Sequence, residues 1–119
     1  MIQATSYLSP NGLNLASGAG PATQLVVATL EGVASLERDG PGGNWELAGR
    51  SLSHRHVGSL VYEAGSGKLF AGAHADGGIW VSDDGAGESW RETGNGLDRP
   101  HVYSLTPRRI GDDVTLFLG

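Results

Sequence analysis

Cysteine is absent from all 119 residues, which removes disulfide frameworks, thiolate zinc sites and cysteine nucleophiles together. Basic charge is scarce: eight Lys and Arg stand against thirteen Asp and Glu, for a formal net charge of -5 at neutral pH. That balance leaves no basic face for a phosphate backbone, so nucleic acid is not an expected partner. No stretch approaches the roughly 20 apolar residues of a membrane-spanning helix. Residues 1–20 lack a positive region followed by an apolar run, so they do not read as a signal peptide, and a cytoplasmic protein without a membrane partner is expected. Room for helices is also missing. The longest glycine-free stretch, from Leu97 to Ile110, is interrupted by Pro100 and Pro107. What the chain has instead is 20 glycines and 39% hydrophobic residues, too apolar for a disordered tail and too rich in glycine for a helical bundle.

The apolar residues recur at long range. Sliding the sequence along itself by 45 positions superimposes Gly32 on Gly77, Leu36 on Val81, Asp39 on Asp84, Gly40 on Gly85, Gly42 on Gly87 and Trp45 on Trp90. The match continues with Leu52 on Leu97, His56 on His101, Val57 on Val102, Ser59 on Ser104 and Leu60 on Leu105. A small change in loop length brings Leu25 onto Leu69 and then Leu116. Within each period, short runs of Val, Leu, Ile, Phe, Tyr and Trp are separated by glycine-rich breaks, the pattern of strands.

The complete unit predicts strands at Val57–Glu63, Leu69–Ala73, Gly78–Ser82 and Ser89–Thr93. Three strands, Leu25–Leu30, Val33–Glu37 and Asn44–Ala48, precede it. Two, Val102–Thr106 and Val114–Leu118, follow. Four strands per repeat is the blade count of a propeller. The expected fold is therefore all-β: β-propeller blades of four antiparallel strands in an incomplete propeller. An incomplete blade covers 25–48, a full blade 57–93 and a half blade 102–119. Residues 1–24 read as a leader or a loose first strand. The half blade at the C-terminus reads as the mark of a truncated chain.

The segment from Ser82 through Asp84, Gly85 and Gly87 to Trp90 resembles the Asp box of the BNR-repeat propellers, with one extra residue in the turn. The earlier copy, built on Asp39, Gly40, Gly42 and Trp45, has the same insertion and lacks the initial serine. The residue types serve a structural purpose. Asp84 accepts backbone N–H bonds inside the turn, the glycines take positive φ, and Trp90 reaches the core. Trp45 is expected to do the same one blade earlier. A calcium loop on Asp83, Asp84 and Glu88 is disfavoured because the EF-hand spacing is absent. The resemblance implies that the box lies at an outer hairpin, away from any active site.

Propeller strands alternate in direction, so the connections carrying His54, His56, His74 and His101 share one rim, and the Asp boxes the other. His56, His74 and His101, with Arg55, Arg99 and Asp76 nearby, are the candidate ligand-binding residues for a polar or anionic small molecule or a protein partner. Tyr62 and Tyr103 fall on first strands, nearest the channel. Arg108, Arg109, Asp112 and Asp113 read as a solvated charged turn. No His-x-His or carboxylate-anchored spacing points to a metal, and no cofactor is indicated.

Proteins similar in this repeat include sialidases and other glycoside hydrolases, and sortilin-type receptors. The resemblance specifies architecture more than activity. A sialidase would carry an arginine triad, a Tyr nucleophile with a Glu partner and an Arg-Ile-Pro motif. None maps here, and Arg109-Ile110-Gly111 is not that motif. The expectation is a ligand- or protein-binding scaffold with no catalytic set in this chain. The alternative is part of an exo-alpha-sialidase-like or other glycoside hydrolase whose catalytic residues lie on further blades. Self-association through exposed blade edges is a third expectation.

Overall fold

The computed structural model describes residues 4–12, 16–75, 77–93 and 101–119. Among these there are eleven strands and no helix. They are β1 (Thr5–Leu8), β2 (Ala16–Ser17), β3 (Gln24–Thr29), β4 (Gly32–Glu37), β5 (Glu46–Ser51), β6 (Val57–Glu63), β7 (Lys68–Ala73), β8 (Gly78–Ser82), β9 (Arg91–Glu92), β10 (Leu105–Ile110) and β11 (Asp113–Leu118). The strands form three sheets, in the orders β2-β1-β3-β4-β5, β6-β7-β8-β9 and β10-β11. Every pairing is antiparallel except that of β1 with β3, which is parallel.

The middle sheet is apolar on both faces, and neighbouring side chains go opposite ways as the pleat requires. Leu60, Leu69, Ala71 and Ala73 join one core with Tyr7, Val26, Ala28 and Val33 of the first sheet. Val61, Phe70, Ile79 and Val81 join a second core with Val102 and Leu105, against which Val114 and Leu116 pack. Each fully buried Leu or Val contributes about 1.5–3 kcal/mol relative to exposure. Gly72 leaves no room for a side chain: a Cβ there would sit 2.7 Å from Val102 Cγ1, ahead of the third sheet, and 3.2 Å from Leu105 Cγ within it. Ser59 Oγ links the same two layers by accepting the Leu105 N–H at 3.2 Å.

Side-chain direction also corrects the ungapped register of the repeat. The hairpin β3-β4 closes at Thr29↔Gly32 and β7-β8 at Ala73↔Gly78, so the first turn is shorter. Counted from those closing pairs, Val26 matches Phe70, Val33 matches Ile79, and Gly32 matches Gly78 rather than Gly77. Positive φ agrees, at 103° for Gly32 and 81° for Gly78. With this register each sheet packs its back face on the front face of the next. Val26 and Val33 press on Leu60 and Leu69, as Phe70 and Ile79 press on Leu105 and Leu116.

Several expected strands move. Within the segment expected to be a leader or a loose first strand, Thr5–Leu8 form β1 beside β3, and Tyr7 is buried. The Tyr7 ring stacks on Tyr62 with centroids 4.9 Å apart, so Tyr62 faces this core and not a channel. Residues 9–11 cover the free edge of β6: Asn11 N–H donates to the Gly58 carbonyl at 3.0 Å, and Leu60 N–H to Ser9 Oγ at 2.9 Å. Strand β5 starts at Glu46 and runs to Ser51 rather than Asn44–Ala48, while β9 shrinks to two residues because Trp90 turns inward ahead of it. Strand β10 begins at Leu105 and runs through Pro107 to Ile110, a position tolerated because it is an edge strand. The charged turn therefore tightens to Gly111 and Asp112. Arg109 is not simply solvated, since its Nη1 meets Oε1 of the buried Glu63 at 3.2 Å. The Ser66 backbone N–H and this guanidinium hold the Glu63 carboxyl below the usual range, against its burial.

The β8–β9 connection has the hydrogen bonds its residue types imply. Asp84 Oδ1 accepts Ala86 N–H at 2.9 Å and the Ser82 hydroxyl at 3.2 Å, while Ser82 Oγ accepts Gly87 N–H at 3.0 Å. Gly85 has φ 74°, and a Cβ there would lie 2.6 Å from the Gly67 carbonyl oxygen. Trp90 packs on the core between the first two sheets and donates its Nε1–H to Ser51 Oγ at 2.9 Å. The turn thereby clamps β5 to the middle sheet. The earlier copy does not: Trp45 belongs to neither core and lies beneath the Arg38 guanidinium, 4.5 Å from its ring centroid. Among the described residues no sheet packs on its ring. Asp39 and Gly40 lie on that turn with nothing within 4 Å of a Cβ at Gly40 or Gly42.

Because Ser82 is fully buried and Gly87 N–H has it as acceptor, Ser82→Ala should cost about 1–3 kcal/mol, read as a lower urea midpoint. Asp83→Ala, which removes only an exposed pairing with Arg91 and Lys68, should leave the midpoint in place.

Candidate functional site

At the end of the sheets opposite the Ser82–Trp90 turn, three connections bring imidazoles together. His56 precedes β6, His74 follows β7, and His101 lies ahead of β10. The His74 ring centroid lies 4.0 Å from that of His56 and 5.2 Å from that of His101. Tyr103 completes the cluster, its ring 4.5 Å from both His74 and His101 and edge-on to each. It is 55% exposed, so the group opens to solvent on that side.

Backbone bonds set this geometry. His74 N–H donates to the His56 carbonyl at 2.9 Å, extending the β6-β7 ladder beyond its last pair. Ala75, at φ 49°, turns its N–H onto His101 Nδ1 at 2.7 Å. This bond fixes the proton of a neutral His101 on Nε2, leaving that atom as a donor toward solvent. His74 Nε2 is buried and has no hydrogen-bond partner among the described residues. It points at Gly58, where any side chain would collide with the ring. Desolvation, followed by repulsion from His56 and His101, lowers the His74 pKa below the ordinary histidine value.

Of the other candidates, Arg55 is not free to meet an anion: its guanidinium lies over Trp80, 4.5 Å from the ring centroid. Trp80 projects from β8 toward the first core, and Arg55 covers it. Arg99 and Asp76 lie outside the described residues. His54, an exposed turn residue at φ 67°, makes no ring contact with the three clustered histidines. Tyr103 is the member of the cluster that sequence reasoning placed on a strand and did not assign to the histidines. Its counterpart is Gly58, two residues after His56 as Tyr103 is two after His101, so the spacing alone held the signal.

Among the described residues no group of three or more His, Asp or Glu is arranged to hold a metal ion. His74 Nε2 lies against Gly58, and His101 Nδ1 already accepts a backbone N–H. Asp83 and Asp84 are engaged elsewhere. Asp83 carries Arg91 at 2.8 Å and Lys68 at 3.7 Å, which lowers its pKa, and Asp84 is bonded into its own turn. A polar concavity of about 450 Å³ lies away from the histidines, among Thr23, Gln24, Glu37, Arg38, Asp39 and Asn44. Its one cation, Arg38, donates to the Ala22 and Pro41 carbonyls at 2.8 and 2.9 Å, and so does not face the cavity as a free charge.

The direction of the His74 shift carries a pH dependence. The folded chain holds His74 neutral below the pH, about 6.5, at which the unfolded chain takes up its proton. Stability is therefore full above that pH and falls as the pH drops through it toward the lowered folded value. Urea titrations between about pH 7.5 and 5 should show this decline. His74→Phe, which keeps a ring and removes the proton site, should flatten it, and His54→Gln should not.

Comparison with models of known families, with curated proteins and with solved structures returns no match.

Proposed function

We propose that the three sheets are consecutive blades of a β-propeller of the Asp-box kind and that the chain is a binding scaffold, receiving a small polar or anionic ligand or a protein segment at the histidine-bearing rim. The architectural half of this reading is supported by the packing relation that recurs along the chain, back face on front face, with sequence-equivalent residues at each contact. Repeating one such step generates a closed ring of blades.

The functional half rests on one observation. His56, His74 and His101, drawn from three separate connections, converge with Tyr103, and His74 Nε2 within the cluster is buried without a hydrogen-bond partner among the described residues. A buried polar atom left unpaired is disfavoured by about 1–3 kcal/mol, and a ligand or ordered water that reaches it recovers that loss. Glycoside hydrolysis, the competing reading, needs two carboxyl groups facing one another across a cleft. Glu63, Asp83 and Asp84 are tied to Arg109, Arg91 and the turn backbone, so that reading places the pair on further blades.

Imidazole resonances followed during titration with small carboxylates, phosphate and acidic peptides test the proposal. Shifts in His56, His74 and His101 that saturate, and that His101→Ala abolishes, are expected. Silence at these three residues across the series would overturn it, as would turnover of aryl glycosides.

A further inference from the structure

The three rim histidines are held in different ways, which sets them apart in their freedom to take up a proton. His101 Nδ1 accepts the Ala75 N–H at 2.7 Å, a bond that a proton on that nitrogen would break, so this ring stays neutral and offers Nε2–H. His74 Nε2 is buried against the backbone, where a Cβ on Gly58 would collide with it and would lie 3.3 Å from Asn11 Nδ2, an uncharged amide. Desolvation, then repulsion from His56 and His101, disfavours a charge on His74 as well. His56 carries neither restraint. Its ring is partly exposed and lies on that of His74 with centroids 4.0 Å apart, while its backbone carbonyl, not its ring, accepts the His74 N–H. Among the described residues no hydrogen bond holds either of its ring nitrogens.

The groups around His56 bring no negative charge among the described residues. Arg55, its neighbour in sequence, is drawn over Trp80, His74 lies against the ring, and His101 and Tyr103 lie beyond His74. The ion pairs of the described residues join Arg109 to Glu63, and Arg91 and Lys68 to Asp83, and none includes a histidine. We infer that an anion seats on this rim together with one proton, taken from solvent by the His56 ring, while His74 and His101 stay neutral; the inference rests on the rim being the binding site proposed above. The anion supplies the counter-charge that a protonated His56 lacks, and His101 Nε2–H and the half-exposed Tyr103 hydroxyl are neutral donors beside it. The ligand is thereby an oxyanion, carboxylate or tetrahedral, whose affinity is set by pH.

The test is binding of acetate and of sulfate, whose own charge is constant near neutral pH, to the full chain. Imidazole resonances report the site, and calorimetry in two buffers of different ionisation heat counts the protons taken up. As the pH falls from about 8 toward the histidine range near 6.5, affinity should rise by up to about tenfold per unit, with close to one proton taken up at the upper end. His56→Gln should keep its β circular dichroism and bind weakly, with no pH dependence and no proton uptake. His56→Lys, charged throughout, should bind at the upper pH as tightly as the wild type does at the lower, again without uptake. A proton-coupled response to acetate alone supports a carboxylate ligand, and one to sulfate alone a tetrahedral anion. Saturable binding whose affinity ignores pH, or proton uptake that survives His56→Gln, overturns this inference and leaves the binding site in place. Silence toward both anions also overturns it, and if peptides fail to shift the rim as well, the binding reading falls with it.

Discussion

Burial of the middle sheet on both faces is the constraint on which the rest of the structure depends. Leu60 and Val61 are adjacent in β6, point in opposite directions, and are both fully buried. A sheet with that pattern has no solvent face, so it is stable only as the centre of a stack. The first and third sheets are its covers, and each is apolar toward it and more exposed outward. Strand β5, one layer removed, is largely exposed along its length. The polar links follow the same logic: Ser59 to Leu105, Ser51 to Trp90 and Glu63 to Arg109 each cross between layers and restrain how two sheets slide over one another.

The middle sheet was the most legible part of the sequence, and for a physical reason. Runs such as Val57–Glu63 and Gly78–Ser82 are bounded by glycine-rich turns and are apolar at nearly every position, so their limits coincide with those of β6 and β8. Strand β1 was not legible. Thr5–Leu8 is flanked by Ser, Asn and Gly, and its burial is created by a distant partner, Tyr62, rather than by a local pattern. The tryptophans make the same point. Trp45 and Trp90 occupy equivalent positions in sequence, yet only Trp90 has Ser51 and a neighbouring sheet opposite it. For the candidate site, repetition and strand direction brought His56, His74 and His101 to one end. Nothing in the spacing revealed that Arg55 would cover Trp80, because that contact depends on how the middle sheet twists beneath it.

The two ends of the stack are chemically unlike. Around Ser82, Asp84 and Gly87 the turn's polar groups are matched within a few residues, which makes it a self-contained clasp. At the other end the turns are held by backbone bonds while the side chains gather as rings, and one imidazole nitrogen is left without a partner among the described residues. The first arrangement specifies a structure. The second leaves bonding capacity unused, and that is the condition under which a surface recognises something else.

The Tyr7 hydroxyl donates to the Gly85 carbonyl at 2.7 Å across a separation of 78 residues. The hairpins β3-β4, β6-β7 and β10-β11 close over short turns and cost little chain entropy, whereas this bond encloses most of the chain. It ties a strand already paired with β3 to the turn at the far end of the middle sheet, so the N-terminal segment braces the first two sheets against one another.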